Sequence, residues 1–280
     1  MGNTSPDVRV IGAGLFGCVI TRKLRSMGLN VDLVDTNRRG AGSPPAACLI
    51  KPSWVLALGR DVIDPSMDLL NELYGVQDIN FKVGPTHTKV HWVDPAKILA
   101  EPRREGILLE VNEDGTVVID DQRLDAPVTV LATGVWTNDV LPHHAKVPNL
   151  SGRAGVAFTW EGQLEEPFIV PWAPYRQLIA FNRTPNEIWV GDGTAIIPEN
   201  WTQKNYEASL VRCARAIGRT DLPKGMHFGV RPYVKHVKPC FLKEVLPSVW
   251  VATGGAKNGT LAAGWCAHQL SLVADQQKRI

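Results

Sequence analysis

Three glycines, Gly12, Gly14 and Gly17, stand in G-x-G-x-x-G spacing within VIGAGLFG, and Asp35 follows 18 residues after the last of them. Residues of these types at this spacing handle phosphates and ribose. Gly12 permits a tight turn, Gly14 lets the backbone approach a pyrophosphate, and Gly17 lets a helix pack closely on a strand. A helix beginning there offers free N–H groups and the positive end of its dipole to the phosphates. A carboxylate at position 35 can accept hydrogen bonds from both ribose hydroxyls. The set points to a bound dinucleotide without separating NAD from FAD. Elsewhere the chemistry is sparse. His87, His91, His143, His144, His227, His236 and His268 show no metal-ligand spacing, and Asp120-Asp121 reads as a hairpin end. The five cysteines are odd in number and contain no CxxC, which argues against a zinc site or disulfide framework and for a reducing compartment.

The elements that must position these residues follow the glycines. Val8 to Ile11 is an apolar run ending in the turn, Leu15 to Met27 reads as a helix stopped by Gly28, and Val31 to Val34 is a second β-rich run before Asp35. Together they make a βαβ unit with a parallel strand pair. Residues 38–53, rich in Gly, Pro and Ser, predict a shaped loop. Helices are expected over Asp64 to Leu73, from Asp94-Pro95 to Leu99, over Tyr206 to Ile217 and over Leu261 to Gln276. Ile107 to Val111 and Thr116 to Ile119 flank a hairpin turn, while Val128 to Leu131 and Val249 to Thr253 read as buried strands. Alternation in AGVAFTW, FIVPW, QLIAF and EIWVGDG predicts an antiparallel sheet between Ala154 and Thr194. A chain of 280 residues with 44% hydrophobic residues can bury a substantial core, and a net charge of only +2 neither demands nor excludes a nucleic-acid partner. Nine tryptophans are expected mainly as core or pocket walls. With no basic leader and no apolar run of membrane-spanning length, the sequence predicts a soluble, cytoplasmic protein.

Four segments together resemble the D-amino-acid oxidase superfamily of FAD-dependent oxidoreductases, closest to its glycine oxidase and sarcosine oxidase branch. They are the βαβ unit with Asp35, the loop SPPAACLIKP (Ser43 to Pro52), VLATGVWTNDVL (Val130 to Leu141), and GVRP (Gly229 to Pro232) followed by VWVATGGAKNGTLAAG (Val249 to Gly264). The resemblance implies an α/β fold, with a Rossmann-type FAD-binding domain and a smaller antiparallel-sheet substrate domain. The expected partition is 1–53, 94–150 and 225–280 for the FAD-binding domain and 54–93 with 151–224 for the substrate domain. The residues it assigns to FAD are Gly12, Gly14, Leu15, Phe16 and Gly17; Asp35, Thr36, Asn37 and Arg38; Ser43, Ala46, Ala47, Cys48 and Leu49; Ala132, Thr133, Gly134 and Trp136; and Arg231, Gly255, Lys257, Asn258, Gly259 and Thr260. The turn at Gly254, Gly255 and Gly259 opens a helix whose N–H groups would face the pyrimidine end of the flavin, where reduced flavin carries negative charge. In the branch the G-x-R-P arginine, here Arg231, grips the substrate carboxylate over the flavin; the alternative is a buried arginine satisfying backbone carbonyls. Lys257 is the second basic residue of that pattern, facing substrate or reduced flavin, or else is a surface cation. Lys51 either assists at the flavin edge or faces solvent. The implied reaction is oxidation of a C–N bond by hydride transfer from the α-carbon to flavin N5, governed by orientation and cofactor electronics rather than by a side-chain base.

The sequence also departs from the pattern. Cys48 stands where the family has glycine, Phe168 where glycine oxidases have a carboxylate-holding tyrosine, and His236-Val237-Lys238-Pro239 lacks the usual acid. Residues 54–93 look short for the family's helices. The chain is shorter than typical members, which predicts a trimmed substrate domain, a more open site and a bulky substrate. An alternative is the same flavin chemistry on a glycyl-type group attached to a nucleobase, served by basic pairs such as Arg38-Arg39, Arg103-Arg104 and Lys235 with Lys238. Further alternatives are a non-redox flavin-binding protein and an NAD-dependent dehydrogenase. The partner is thus a small or carrier-linked amine, with nucleic acid as a candidate and no membrane or metal.

Overall fold

The computed structural model describes residues 5–36, 40–124, 126–174 and 176–277. Val8–Ile11, Val31–Asp35 and Val128–Leu131 pair in parallel at the centre of a six-stranded sheet. Val249–Thr253 extends it on one side and is flanked by the antiparallel strand Phe241–Leu246; Arg104–Glu105 closes the other edge. The central strands are apolar on both faces, as a sheet covered on both sides requires. Val10, Leu33, Val130 and Ala252 face the helices, while Ile11, Val34, Leu131 and Val251 face a three-stranded meander of Leu108–Val111, Val117–Ile119 and Gln122–Leu124. That division follows from the two-residue period of a strand. The charged exception in the first strand, buried Arg9, is balanced by the Asp32 carboxylate 3.0 Å away on the neighbouring strand.

On the helical side, Leu15–Ser26 packs against the closing helix Gly259–Gln277, and Arg60–Tyr74 packs against that helix in turn. Gly264 makes the second contact possible, since a Cβ there would lie 2.9 Å from the Ser66 carbonyl oxygen. Pro95–Leu99 begins at Asp94, whose carboxylate accepts from the Ala96 N–H at 2.9 Å, a standard N-cap.

The second sheet has eight strands, in the order Gly225–Val234, Leu150–Glu161, Glu187–Gly191, Arg176–Thr184, Phe168–Ala173, Gln77–Val83, Thr86–Trp92 and Leu49–Ile50. Its pairs are antiparallel apart from the single parallel contact between Phe168 and Lys82. Helix Gln203–Ala216 covers one face, its Cys213 packed in the cluster of Phe158 and Trp160. The other face carries a cluster of Phe81, Trp92, Phe181 and Trp189 with ring centroids 5.6–6.1 Å apart.

Two segments sit differently from the expected partition. Gly225–Val234, expected with the dinucleotide unit, is an edge strand of the eight-stranded sheet, paired with Leu150–Glu161 over ten residues. Residues 54–93, expected within the substrate unit, contain the 15-residue helix Arg60–Tyr74, which buries Leu69, Leu70 and Tyr74 in the core of the six-stranded sheet. The apolar spacing of that helix carries no mark of which sheet it will cover, so contiguity in sequence misassigns it. The antiparallel sheet has eight strands and the parallel-centred sheet six.

Candidate active site

A cavity of about 780 Å³ lies where the two sheets meet, and the four motif-bearing segments converge on it. Its size is that of a cofactor or substrate cleft. The glycine turn forms one wall. Gly12 has φ +100, and a Cβ there would sit 2.5 Å from the Ala132 carbonyl oxygen of the next strand. Gly17 does not line the cavity. A Cβ on it would collide with the Gly12 carbonyl oxygen, so its role is to seat the helix against the turn. Gly14, Leu15 and Phe16 do line it, and the Ser43 hydroxyl accepts a hydrogen bond from the Leu15 N–H at 2.9 Å, tying the loop to the helix start.

Asp35 and Thr36 line the far end of this wall, beside Arg103, Leu99 and Leu108. Arg103 donates to the Leu99 carbonyl at 3.3 Å, while its neighbour Arg104 holds Asp32 at 3.0 Å, so the expected Arg103-Arg104 pair is already engaged within the fold. Asn37 and Arg38, and Arg39 with them, lie outside the described residues.

The loop through Ser43, Ala46, Ala47, Cys48 and Leu49 forms the floor. Its start lies against the edge strand Gly225–Val234, with the Val230 N–H donating to the Gly40 carbonyl at 2.9 Å. A Cβ on Gly42 would come within 2.8 Å of the Val230 carbonyl oxygen. Cys48 has φ +53, the left-handed region in which glycine is the unstrained residue. This accounts physically for the glycine of the related motif. Burial pushes the Cys48 thiol pKa up to about 11, so it is a neutral packing group.

Ala132, Thr133, Gly134 and Trp136 contribute a third segment. The Gly134 carbonyl accepts from the hydroxyls of Thr137 at 2.8 Å and Thr253 at 2.9 Å, which fixes this turn to the last parallel strand. Gly255, Lys257, Asn258, Gly259 and Thr260 form the fourth, at the N-terminus of the closing helix. A Cβ on Gly255 would meet the Phe16 ring at 2.9 Å.

Arg231 lines the cavity and donates through Nη2 to the Thr194 carbonyl at 2.7 Å. Burial pulls its pKa down, and the nearby Asp192 carboxylate works against that shift. Sequence reasoning missed the support behind this arginine. Asp192 is fully buried; it accepts from Arg212 Nη2 at 2.7 Å and from the Thr194 N–H at 2.9 Å. These bonds hold its carboxyl below the usual range against the opposing effect of burial. Arg212 stacks 4.2 Å over Trp172, whose indole N–H donates to the Asp192 carbonyl at 2.7 Å. The available signal was the two glycines of GDGT, residues 191–194: Gly193 has φ +68 and lies close to the Gln177 backbone.

Lys257 also faces the cavity. Partial burial of its ammonium, then the charges of Arg231 and Arg176, pull its pKa below the ordinary lysine value. Two sequence assignments are corrected. Phe168 lies on the opposite face of the sheet, packed beneath helix Gln203–Ala216, while its neighbour Ile169 occupies the aromatic face; strand alternation excludes both from one side. Lys51 does not line the cavity. Its ammonium lies 5.8 Å from the ring centre of Trp54, and Trp54 is the residue that reaches the wall. Gln177, Ile179 and Trp189 of the eight-stranded sheet, and Thr194 in the turn after it, also line the cavity and carried no motif. No helix among the described residues is long and apolar enough to cross a membrane.

No family model matches the chain, and no curated protein matches it in sequence. Solved structures do. Iminodiacetate oxidase from Chelativorans sp. BNC1 superposes with a TM-score of 0.72 at 15% identity, over 96% of this chain and 95% of that one. Glycine oxidase from Bacillus cereus ATCC 14579 gives 0.70 at 14% identity, over 98% and 96%. The glycerol-3-phosphate dehydrogenase of Bacillus halodurans, solved in complex with FAD, gives 0.69 at 14% identity, over 99% of this chain and 66% of that one. At these identities the likeness is one of fold: the chain has the Rossmann-type plus antiparallel-sheet architecture shared by these oxidoreductases.

Proposed function

We propose that this chain is an FAD-dependent oxidoreductase that oxidises an amino acid or amine at its C–N bond. The observation that carries the reading is the convergence of the four segments on one cavity, lined by both Asp35 and Arg231. The walls fit FAD on their own terms. Two helix N-termini, at Leu15 and Gly259, open into the cavity and suit phosphate and an electron-rich ring. The backbone at Gly12, Gly42 and Gly255 is so closely packed that no side chain fits. Asp35 and Thr36 would take the ribose, the loop from Ser43 to Leu49 and the turn from Ala132 to Trp136 the flavin and pyrophosphate, and the first turn of the closing helix the pyrimidine edge. The FAD-bound dehydrogenase fold, and the oxidase fold matched above, support the same assignment.

A bound flavin would supply the two-electron acceptor. What the chain supplies is orientation. Arg231 presents a guanidinium that can take a substrate carboxylate while its bond to Thr194 keeps it in place. Trp54 and Trp189 line the cavity and would exclude water from the reacting carbon. No side-chain base is assigned. The fold also carries alcohol oxidation in the glycerol-3-phosphate dehydrogenase, so the carboxylate-binding arginine, not the fold, favours an amino acid.

The test is anaerobic bleaching of the bound flavin at about 450 nm against glycine, sarcosine, D-amino acids, glycerol 3-phosphate and oligonucleotides bearing a glycyl-type modified base. Bleaching by an amino acid supports the proposal. Bleaching by glycerol 3-phosphate alone refutes the C–N assignment, and bleaching by the oligonucleotide alone makes the chain a nucleic-acid modification enzyme. A colourless protein refutes the flavin.

A further inference from the structure

We propose, resting on the functional reading above, that Gln177 seats the substrate nitrogen: its carboxamide oxygen accepts a hydrogen bond from the amine while Arg231 takes the carboxylate. Gln177 lies on strand Arg176–Thr184, two positions before Ile179 and four before Phe181, so the three share the face that carries the aromatic cluster. Gln177 and Ile179 both line the cavity. Gln177 and Arg231 flank a single turn. On one side of it, a Cβ on Gly193 would come within 2.9 Å of the Gln177 carbonyl oxygen. On the other, the Thr194 carbonyl accepts from Arg231 at 2.7 Å. Gly155 leaves the room for this bond, because a Cβ there would lie 3.0 Å from Arg231 Nη2 and 2.7 Å from the Thr194 carbonyl oxygen.

Among the described residues, the lining side chains of the eight-stranded sheet and its turns offer two acceptor oxygens, those of Gln177 and Thr194. The Thr194 hydroxyl is buried and engaged, 3.4 Å from the Ser209 hydroxyl and bonded to the Asp192 carboxylate. The Gln177 carboxamide is hydrogen-bonded to no other described residue. A neutral acceptor is what the chemistry needs. For C–N oxidation the ammonium proton first leaves to solvent. The α-C–H bond then breaks, its electron pair passes to the flavin as hydride, and the nitrogen lone pair forms the C=N bond of the product. A carboxylate beside the nitrogen would favour the ammonium form, whose lone pair is occupied. A carboxamide oxygen accepts one N–H without holding the extra proton. The charges nearby act in the same sense: Arg231 and Lys257 line the cavity, and the Arg176 charge reaches Lys257. Cations around the amine favour its neutral form.

The experiment uses the flavin-loaded protein and three pairs of acids that differ by the amine: glycine with acetate, sarcosine with methoxyacetate, and D-alanine with propionate. Each is titrated anaerobically against the visible spectrum of the flavin. Gln177→Met keeps the length of the side chain and removes the acceptor. It is expected to weaken the amine-bearing members by about 3- to 10-fold, the worth of one neutral hydrogen bond, and to leave the amine-free members and the flavin content unchanged. Equal weakening of both members would assign Gln177 to the carboxylate or to shape, and no weakening of either would leave it in solvent; each result overturns the proposal. Gln177→Glu keeps an acceptor but charges it, so the pH midpoint of bleaching is expected to move upward as the carboxylate holds the ammonium form. A midpoint that stays in place overturns the proposal as well. A protein that takes up no flavin, or is bleached by glycerol 3-phosphate alone, overturns the functional reading and this proposal with it. A flavoprotein bleached by an amino acid, whose Gln177 variants behave as the unaltered protein does, overturns this proposal alone.

Discussion

Replacing Cys48 by alanine and by glycine separates two effects that the native residue combines. Cys48 is 4% exposed and adopts φ +53. Cys48→Ala removes one buried sulfur and leaves the backbone strain, a loss of about 1 kcal/mol by the usual burial of a group that size. Going on from alanine to glycine removes the Cβ from a left-handed residue, which relieves roughly 1–2 kcal/mol. It also restores freedom to the unfolded chain, which offsets roughly 0.4–1 kcal/mol of that. The glycine variant is thus expected to be more stable than the alanine variant by about 0.5–1 kcal/mol, and close to the native protein. Urea unfolding of the flavin-free proteins, read by tryptophan fluorescence, gives the order directly. The loop conformation is held from outside, by its contact with the Val230 strand and by the Cys48 carbonyl accepting from the Val93 N–H at 3.1 Å. Flavin content is therefore expected to be equal in all three. An alanine variant more stable than the glycine variant would refute the left-handed assignment and the explanation of why a glycine suits this loop.

Gly17→Ala forces a Cβ against the Gly12 carbonyl oxygen, so the turn and helix must separate; the variant is expected to retain its circular dichroism and lose flavin on gel filtration. Arg231→Lys loses paired hydrogen bonding to a carboxylate and is expected to weaken amino-acid binding by about 10- to 100-fold, seen in anaerobic titration of the bleaching. Asp192→Asn leaves Arg212 without its buried counter-charge; because the Arg212 side chain is 32% exposed, the loss is expected at the low end for a broken buried pair, about 3 kcal/mol in chemical denaturation. Asp192 is held below the usual carboxylate range, so its contribution is present above the ordinary aspartate pKa and disappears as pH falls through its lower folded value; the stability of Asp192→Asn, read by urea unfolding, is expected to be less sensitive to pH there. Lys257 has the opposite relation for a cation: partial burial, then the Arg231 and Arg176 charges, put its folded pKa below the ordinary lysine value, so stability is expected to rise with pH between those two values, and Lys257→Met to flatten that rise in urea unfolding.

The sequence made legible what backbone geometry demands. Gly12, Gly14, Gly17 and Asp35 could be read because a phosphate-binding turn leaves few residue choices, and the buried strands Val128–Leu131 and Val249–Thr253 were read with their observed bounds. Side-chain destinations on the antiparallel sheet were harder. Phe168 and Ile169 are both apolar, so the pattern FIV gives no period from which to tell the cavity face from the helix face. Lys51 follows a lining loop by only two residues, yet the chain turns into the short helix Pro52–Val55 there and Trp54 takes the wall.

The support for Arg231 illustrates the limit most sharply. Arg212, Asp192, Thr194 and Arg231 come from a helix, a strand end, a turn and an edge strand separated by up to 39 positions, and nothing local marks them as one unit. Each has an ordinary reading alone: a surface arginine on a polar helix, an aspartate in a Gly-Asp-Gly turn, a threonine beyond it. What joins them is burial. Once the eight-stranded sheet closes under helix Gln203–Ala216, Asp192 has no water and must be paired, and the Arg212 guanidinium, the Thr194 N–H and the Thr194 and Ser209 hydroxyls are donors within reach. Holding Thr194 this way fixes the direction of its carbonyl, and that carbonyl fixes Arg231. A residue whose type announces binding can be found in a sequence. The residues that aim it are selected by the packing of the folded chain, and the Asp192→Asn and Arg231→Lys variants are expected to share a weakened carboxylate affinity although only Arg231 lines the cavity.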